Sequence, residues 1–192
     1  SGEIVHYLQK NVLQGKAIQN KLIKLGFWPG GDRDGNPFVT TEITLKVAER
    51  LRTSILKCYY FEIRNLKRKL TFDNVDVLVT ELEQKLYRSV FYSRGEIYIT
   101  LEEFITQLNK IKTIIIEQHQ SLYIDELEAL LIKVNLFGFH FATLDIRQNS
   151  KIHNSVFHDI KDYYVKLNST NFPDNYFDLS ESEKFDVLSK SK

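Results

Sequence analysis

The 192-residue sequence contains no methionine, a single cysteine, one tryptophan and three prolines. The lone thiol, Cys58, excludes an internal disulfide framework and a cysteine-based zinc site. Because Cys58 stands in an apolar helical stretch, we expect a small buried thiol at this position. No apolar run approaches the ~20 residues that span a bilayer, and no signal peptide is visible. We therefore expect a cytoplasmic protein without a membrane partner.

An excess of one charge is also missing, since 26 basic and 25 acidic residues leave a net charge of +1. This balance provides no general attraction to nucleic acid, and no nucleic-acid partner is expected. The five histidines are scattered, and His153 and His158 are poorly spaced for one helix face. The sequence therefore predicts no metal site built on its histidines.

What the sequence does contain is amphipathic helix. A hydrophobic fraction of 43%, with thirteen Phe and ten Tyr, is sufficient for a core. Thr100-x-x-Glu103 and Ser180-x-x-Glu183 are capping boxes, and the second begins a last helix. Apolar residues recurring every three or four positions predict the other helices over about 3–25, 40–70, 73–92, 100–120, 124–135 and 151–167. The predicted fold class is mainly α, in one domain over 1–192.

One segment departs from helical spacing. The run from Phe139 to Ile146 is short, apolar and rich in aromatic and β-branched residues, which predicts one buried strand over 139–147. An isolated strand cannot satisfy its backbone groups without a partner. The sequence also begins Ser-Gly rather than Met, and it ends partway into a predicted helix. We therefore expect an excised segment of a longer protein.

Four of the eight glycines are concentrated in the loop at 26–40, GFWPGGDRDGNPFVT, directly before a long predicted helix. Its glycine pair permits close backbone approach, and Gly-Asn-Pro is turn chemistry. The loop places Asp32, Arg33 and Asp34 before a helix N-terminus, where exposed amide groups favour anions. The residues do not match a calcium EF-hand, a P-loop or a dinucleotide fingerprint. Two interpretations stay open: a structural loop whose aspartates cap amides and hold Arg33, and an anion or interface site.

A second candidate is Arg147, at the end of the predicted strand in Asp145-Ile146-Arg147-Gln148. An arginine after a buried strand is typically presented at the mouth of a sheet or barrel. Its planar guanidinium suits a carboxylate or a phosphate. A structural pair between Arg147 and an aspartate is an equally open interpretation.

These two motifs carry a resemblance to a known family. FWPGGDRDGNPFVT resembles the S-W-x-G-G-D-R-D-G-N-P-x-V-T signature of phosphoenolpyruvate carboxylases, and FATLDIRQNS resembles the strand of that family that ends in L/I-D-I-R-Q-E-S. The resemblance covers nearly the whole chain. It implies an internal piece, from the N-terminal half, of a large and mainly helical enzyme with an eight-stranded α/β barrel. The strand at 139–147 would then be one strand of that incomplete barrel.

The resemblance also implies an activity for the parent enzyme. Phosphoenolpyruvate and bicarbonate, with Mg²⁺ or Mn²⁺, would give oxaloacetate and phosphate by phosphoryl transfer to bicarbonate and attack of the enolate on CO₂. Arg147 aligns with a family arginine that helps to hold the substrate phosphate. The parent would be a homo-oligomer, a tetramer. Its loop residues would serve a subunit interface or an effector site, and they are Gly31, Asp32, Arg33, Asp34 and Asn36.

The sequence also departs from the family pattern. Asn149 stands where the family has glutamate, and Phe38 stands where plant members often carry arginine. The catalytic histidine, the F-H-G-R-G-G loop and the metal carboxylates of the family have no counterpart here. The resemblance therefore implies that this segment alone is inactive and binds no metal. The alternative is a non-catalytic helical scaffold or interaction module related to the family.

Overall fold

The computed structural model describes residues 11, 24–92, 98–166, 173 and 175–190. The helix predicted over about 3–25 lies almost entirely outside these residues. The described helices are α1 (Thr41–Lys67), α2 (Asp76–Phe91), α3 (Leu101–Gln118), α4 (Ile124–Phe137), α5 (Ser150–Lys166) and α6 (Glu181–Lys190). Two short strands, β1 (Gly26–Phe27) and β2 (Thr143–Leu144), and a 3-10 turn (Tyr176–Asp178) complete the described elements. The prediction of a mainly helical fold is confirmed.

The chain divides into two compact units. The first consists of residues 1–31 and 39–145, and the second of residues 32–38 and 146–192, in each case as far as they are described. No helix in the described ranges has both the length and the apolar character needed to cross a membrane.

The core of the first unit is formed by one face of each of the helices α1 to α4. Apolar side chains repeat on these faces at helical spacing, and their burial supplies most of the stability of such helices. The largest fully buried side chains are Tyr59, Ile63, Leu70, Val75, Leu82, Leu86, Phe104, Leu108, Ile111, Ile115, Leu127 and Leu130. The predicted bounds of α1 to α4 agree with the observed ones to within one helical turn.

Tyr59 brings a polar group into this core. Its hydroxyl donates to the carbonyl oxygen of Gly138 at 2.8 Å and lies 3.3 Å from that of Lys133. Its ring packs near Phe104 and Phe139, with centroids 5.7 and 6.2 Å away. Burial is the main cause that raises the pKa of the Tyr59 phenol, so the hydroxyl stays neutral and remains a donor. The hydrogen bond ties α1 to the end of α4.

Cys58 is exposed, and the prediction of a buried thiol was wrong. At 3.6 residues per turn, neighbouring side chains on a helix point about 100° apart. The buried arc of this part of α1 runs from Ile55 to Tyr60, and Cys58 lies about 60° outside the Ile55 end of the arc. Apolar spacing placed the correct face inside, but it assigned Cys58 to the wrong edge of that face.

The strand predicted over 139–147 is shorter than expected and is paired rather than isolated. β2 pairs in parallel with β1, with Gly26 opposite Thr143 and Phe27 opposite Leu144. The partner strand therefore comes from the beginning of the glycine-rich loop at 26–40, directly after the first predicted helix. A strand of two residues carries no alternating pattern, which is why the sequence did not reveal it.

The segment directly before β2 is a turn. Gly138 and Phe141 have φ values of 55° and 67°, in the left-handed region of the backbone. The amide of Phe141 donates to the carbonyl oxygen of Phe137 at 3.1 Å, as at the end of a helix. This turn shortens the strand at its beginning.

The two capping boxes differ in the structure. Thr100 Oγ1 accepts from the amide of Glu103 at 3.1 Å, but the Glu103 carboxylate pairs with Lys85 at 2.6 Å. In the second box the exchange is reciprocal, since Glu183 Oε2 accepts from the amide of Ser180 at 2.9 Å and Ser180 Oγ accepts from the amide of Glu183 at 3.5 Å. The Ser180 hydroxyl also donates to Glu183 Oε2 at 2.6 Å. Both boxes begin helices as predicted.

Candidate functional site

The loop between β1 and α1 begins as a tight turn that is fastened to α1. The amide of Gly31 donates to the carbonyl oxygen of Trp28 at 2.9 Å, and Gly30 has φ of 83°. Thr44 Oγ1 donates to the carbonyl oxygen of Gly30 at 2.7 Å, which satisfies a buried hydroxyl. A β-carbon on Gly30 would overlap the side chain of Val47. The turn therefore requires glycine at position 30 for its conformation and for its close contact with α1.

Gly31 packs against the backbone of the segment that leads to Arg147. It is buried, and a β-carbon placed on it would overlap the carbonyl oxygen of Asp145. The amide of Asp145 donates to the carbonyl oxygen of Phe27 at 2.8 Å. The backbone at Gly31 thus lies so close to the end of β2 that no side chain fits at position 31.

In the second unit, the rest of the loop contacts Arg147 itself. Asp32 and Arg147 form a parallel β-bridge, and the amide of Arg33 donates to the carbonyl oxygen of Arg147 at 2.9 Å. The Arg147 side chain is exposed, while that of Arg33 is half-buried. The two motifs that the sequence singled out therefore meet through their backbones.

The polar side chains of the loop bond mainly to the loop's own amides. Asp32 Oδ1 accepts from the amide of Asp34 at 3.4 Å, and Asn36 Oδ1 accepts from the amide of Phe38 at 3.1 Å. Asp34, Asn36 and Phe38 are exposed. These contacts support the structural interpretation of the loop, in which short polar side chains hold a turn.

Asn149 has a local structural role. Its Oδ1 accepts from the amide of Lys151 at 2.9 Å, and its carbonyl oxygen accepts from the amides of Ile152 and His153 at 3.0 and 3.1 Å. Asparagine is among the preferred residues before a helix, because its side chain satisfies an amide that has no helical partner. The departure from the family glutamate thus provides a cap for α5, two residues after Arg147.

The described residues do not form a metal site. No three His, Cys, Asp or Glu side chains in the described part of the chain are grouped so that they could hold a metal ion. Since Mg²⁺ needs oxygen ligands in near-octahedral geometry, these residues do not fit the metal that the family resemblance implies.

The first unit also has a cavity that the sequence did not indicate. Its volume is about 320 Å³, and it is lined by Tyr87, Arg88, Tyr92 and Tyr98. A hydrogen bond with Tyr92 raises the pKa of the Tyr87 phenol. No residue of either motif lines this cavity. The candidate site is therefore the meeting of the loop with the segment around Arg147, which the sequence indicated through its two motifs.

Comparison with known proteins agrees with the two motifs. The family model for phosphoenolpyruvate carboxylase matches residues 2–91 and 80–191. The chain is 32% identical over 226 residues to the phosphoenolpyruvate carboxylase of Nitrosomonas eutropha, which covers 97% of this chain and 24% of that protein. It is 32% identical over 206 residues to that of Nitrosomonas europaea, which covers 86% of this chain and 21% of the relative. The chain thus spans about a quarter or less of the length of these curated relatives.

Proposed function

Because the chain belongs to the phosphoenolpyruvate carboxylase family, we propose that it is one segment of an enzyme that carboxylates phosphoenolpyruvate with bicarbonate. The products are oxaloacetate and phosphate. The observation that carries this proposal is the meeting of the two family motifs at Arg147, where one motif holds the backbone of the other.

Within that reaction, Arg147 binds the phosphate of phosphoenolpyruvate. A guanidinium keeps its charge at every working pH, and its planar fork can donate two parallel hydrogen bonds to phosphate oxygens. Phosphoryl transfer spreads negative charge over those oxygens, so a fixed cation stabilises the transition state. The exposed side chain of Arg147, on a backbone that Arg33 holds, suits this role.

The remaining groups of the site come from other segments of the enzyme. Mg²⁺ or Mn²⁺ is the expected cofactor, but the described residues do not fit it, and we derive no step through the metal from them. One arginine without metal ligands cannot neutralise the charge of the substrate. The isolated segment is therefore expected to be inactive and to bind no metal.

The larger assembly is also a proposal. Two paired strands of two residues each are too few for an independent sheet, which supports the idea that β2 belongs to the barrel of the complete enzyme. We expect that enzyme to be a cytoplasmic homotetramer. The interface or effector role of Gly31, Asp32, Arg33, Asp34 and Asn36 remains a prediction.

The test is an assay of the complete protein beside the purified 192-residue chain. We expect the complete protein to form oxaloacetate from phosphoenolpyruvate in a bicarbonate-dependent reaction with Mg²⁺, and the chain alone to release no phosphate. A folded complete protein without this activity would support the scaffold alternative. Saturable turnover by the chain alone would show that the active site has been misplaced.

A further inference from the structure

Two residues of the loop at 26–40 contact the backbone of the segment 145–147: Gly31 lies against Asp145, and the Arg33 amide bonds to Arg147. We propose that Gly31 and the Arg33 amide are positioning groups for Arg147, so that the loop fixes where the phosphate-binding guanidinium stands. This inference rests on the proposed function of Arg147. It gives the loop a role inside the catalytic site rather than only at an interface or effector site.

The first support is the hydrogen bond at Arg147. β2 ends at Leu144, so its ladder with β1 does not extend to Arg147. Beyond that ladder, the Arg33 amide donates to the carbonyl oxygen of Arg147 at 2.9 Å, and Asp32 forms a parallel bridge with Arg147. A guanidinium at the end of a long side chain is placed reproducibly only when its backbone is fixed.

The second support is the contact of Gly31 with Asp145, two residues before Arg147. A methyl group at position 31 would overlap the Asp145 carbonyl oxygen, which is a backbone atom and cannot rotate away. The end of the strand would have to move. Displacements of about 1 Å in a positioned group can cost roughly a hundredfold in rate.

The third support is that the loop is itself held at several points. Thr44 bonds to Gly30 on one side, and Asp32 and Asn36 bond to loop amides on the other. The loop can fix the position of the segment around Arg147 only if the loop itself is restricted to few conformations. The loop meets that requirement through contacts on both sides of Gly31.

The test compares two alanine substitutions in the complete enzyme. Gly31→Ala introduces the overlap with Asp145, whereas Gly35→Ala strains the same loop at φ of 68° with no atom within 4 Å. We expect Gly31→Ala to raise the KM for phosphoenolpyruvate by about 10- to 100-fold and to leave the KM for bicarbonate nearly unchanged. Gly35→Ala should change both constants by no more than about threefold, because its strain falls on an exposed residue that packs against nothing. Equal changes in both variants would overturn the proposal.

A double substitution shows whether Gly31 acts through Arg147. If it does, Gly31→Ala should add almost nothing to Arg147→Ala, because residues that act as a unit are not additive. Additive losses would contradict the positioning role while leaving the proposed function intact. If Arg147→Ala alone has no effect on the KM for phosphoenolpyruvate, the proposed function itself fails.

A measurement on the unmodified chain keeps the proposal testable if Gly31→Ala does not fold. The amides of Arg33 and Asp145 donate to carbonyl oxygens, so their hydrogen exchange should be slower than that of unprotected amides. Exchange of both amides at unprotected rates would mean that the loop does not hold the strand end, and the proposal would be withdrawn.

Discussion

The helical core of the first unit and the loop at 26–40 are held by different kinds of contact. The core is held by side chains such as Tyr59 and Phe104, which are buried at helical spacing. The loop contacts the segment 145–147 through backbone groups, by the Arg33 amide and by the approach of Gly31 to Asp145. Side-chain contacts leave a periodic pattern in the sequence, whereas backbone contacts leave only the glycines that they require.

This difference also predicts how each region responds to substitution. A core position is sensitive to the volume that is removed, because the cavity left behind closes only in part. A loop position such as Gly31 is sensitive to any added atom. A substitution there should shift the position of the neighbouring backbone more than it lowers the free energy of unfolding.

The largest effect on stability is expected in the core. Phe104→Ala removes a fully buried ring and should lower the free energy of unfolding by about 3–5 kcal/mol. Leu45→Ala is the control at an exposed helical position, and it should change the free energy of unfolding by no more than about 0.5 kcal/mol. Urea unfolding of the 192-residue chain, followed by circular dichroism, measures both. Similar losses for the two variants would mean that the core has been assigned wrongly.

A comparable effect on catalysis, without loss of stability, is expected at Arg147 in the complete enzyme. Arg147→Ala should lower kcat/KM for phosphoenolpyruvate roughly 30-fold to several thousand-fold, which corresponds to a loss of about 2–5 kcal/mol of transition-state stabilisation. Arg147→Lys should recover only part of the loss, because an ammonium keeps the charge and loses the planar fork.

Arg33→Ala is the control for this prediction. It removes a side chain and keeps the amide that bonds to Arg147, so it should cost less than Arg147→Ala. A larger loss for Arg33→Ala would reverse the two assignments. If Arg147→Ala lowers the melting temperature and leaves kinetics per folded molecule unchanged, Arg147 is structural.

The same contrast explains how much could be predicted from the sequence. α1 to α4 were placed correctly because each buries a stripe whose spacing is visible in the sequence, such as Leu82 and Leu86 in α2. The error at Cys58 shows the limit of that method, since spacing identifies a face and not its edge. The candidate site was found by its two motifs, and the residues alone left its role open.

What the sequence could not show was the contact between the motifs. β1 has two residues, and its pairing with β2 depends on backbone groups that every residue possesses. The requirement for glycine at position 31 was visible only as one of several glycines in a loop. Its reason, the carbonyl oxygen of Asp145, lies more than a hundred positions away in the chain.

A smaller effect is expected at the beginning of α5. Asn149→Ala removes the acceptor for the Lys151 amide and should destabilise the helix start by about 1 kcal/mol. Asn149→Glu, which restores the family residue, loses the same cap but places a negative charge near the helix N-terminus, worth about 0.3–1 kcal/mol. Exchange of the first amides of α5 should therefore accelerate about fivefold in the alanine variant and less in the glutamate variant. Equal exchange in all three proteins would exclude Asn149 as the cap.

The smallest effect is expected at the beginning of α6, where the Glu183 carboxylate bonds both to the side chain and to the backbone amide of Ser180. Hydrogen bonds from the Ser180 hydroxyl and amide lower the pKa of the exposed Glu183 carboxyl. A lowered pKa in the folded state means that this contact stabilises the helix start above the unfolded pKa, and the stabilisation is lost as the pH falls through the folded value. An NMR titration should show a pKa of Glu183 below the ordinary value of 4.5. Ser180→Ala should raise this pKa most of the way towards the ordinary value, but not fully, because the hydrogen bond from the amide of residue 180 remains. Ser189→Ala, in the same helix and bonded to Asp186, should leave the pKa of Glu183 unchanged. If Ser180→Ala and Ser189→Ala give the same titration as the unmodified chain, the reciprocal capping contact does not form in solution.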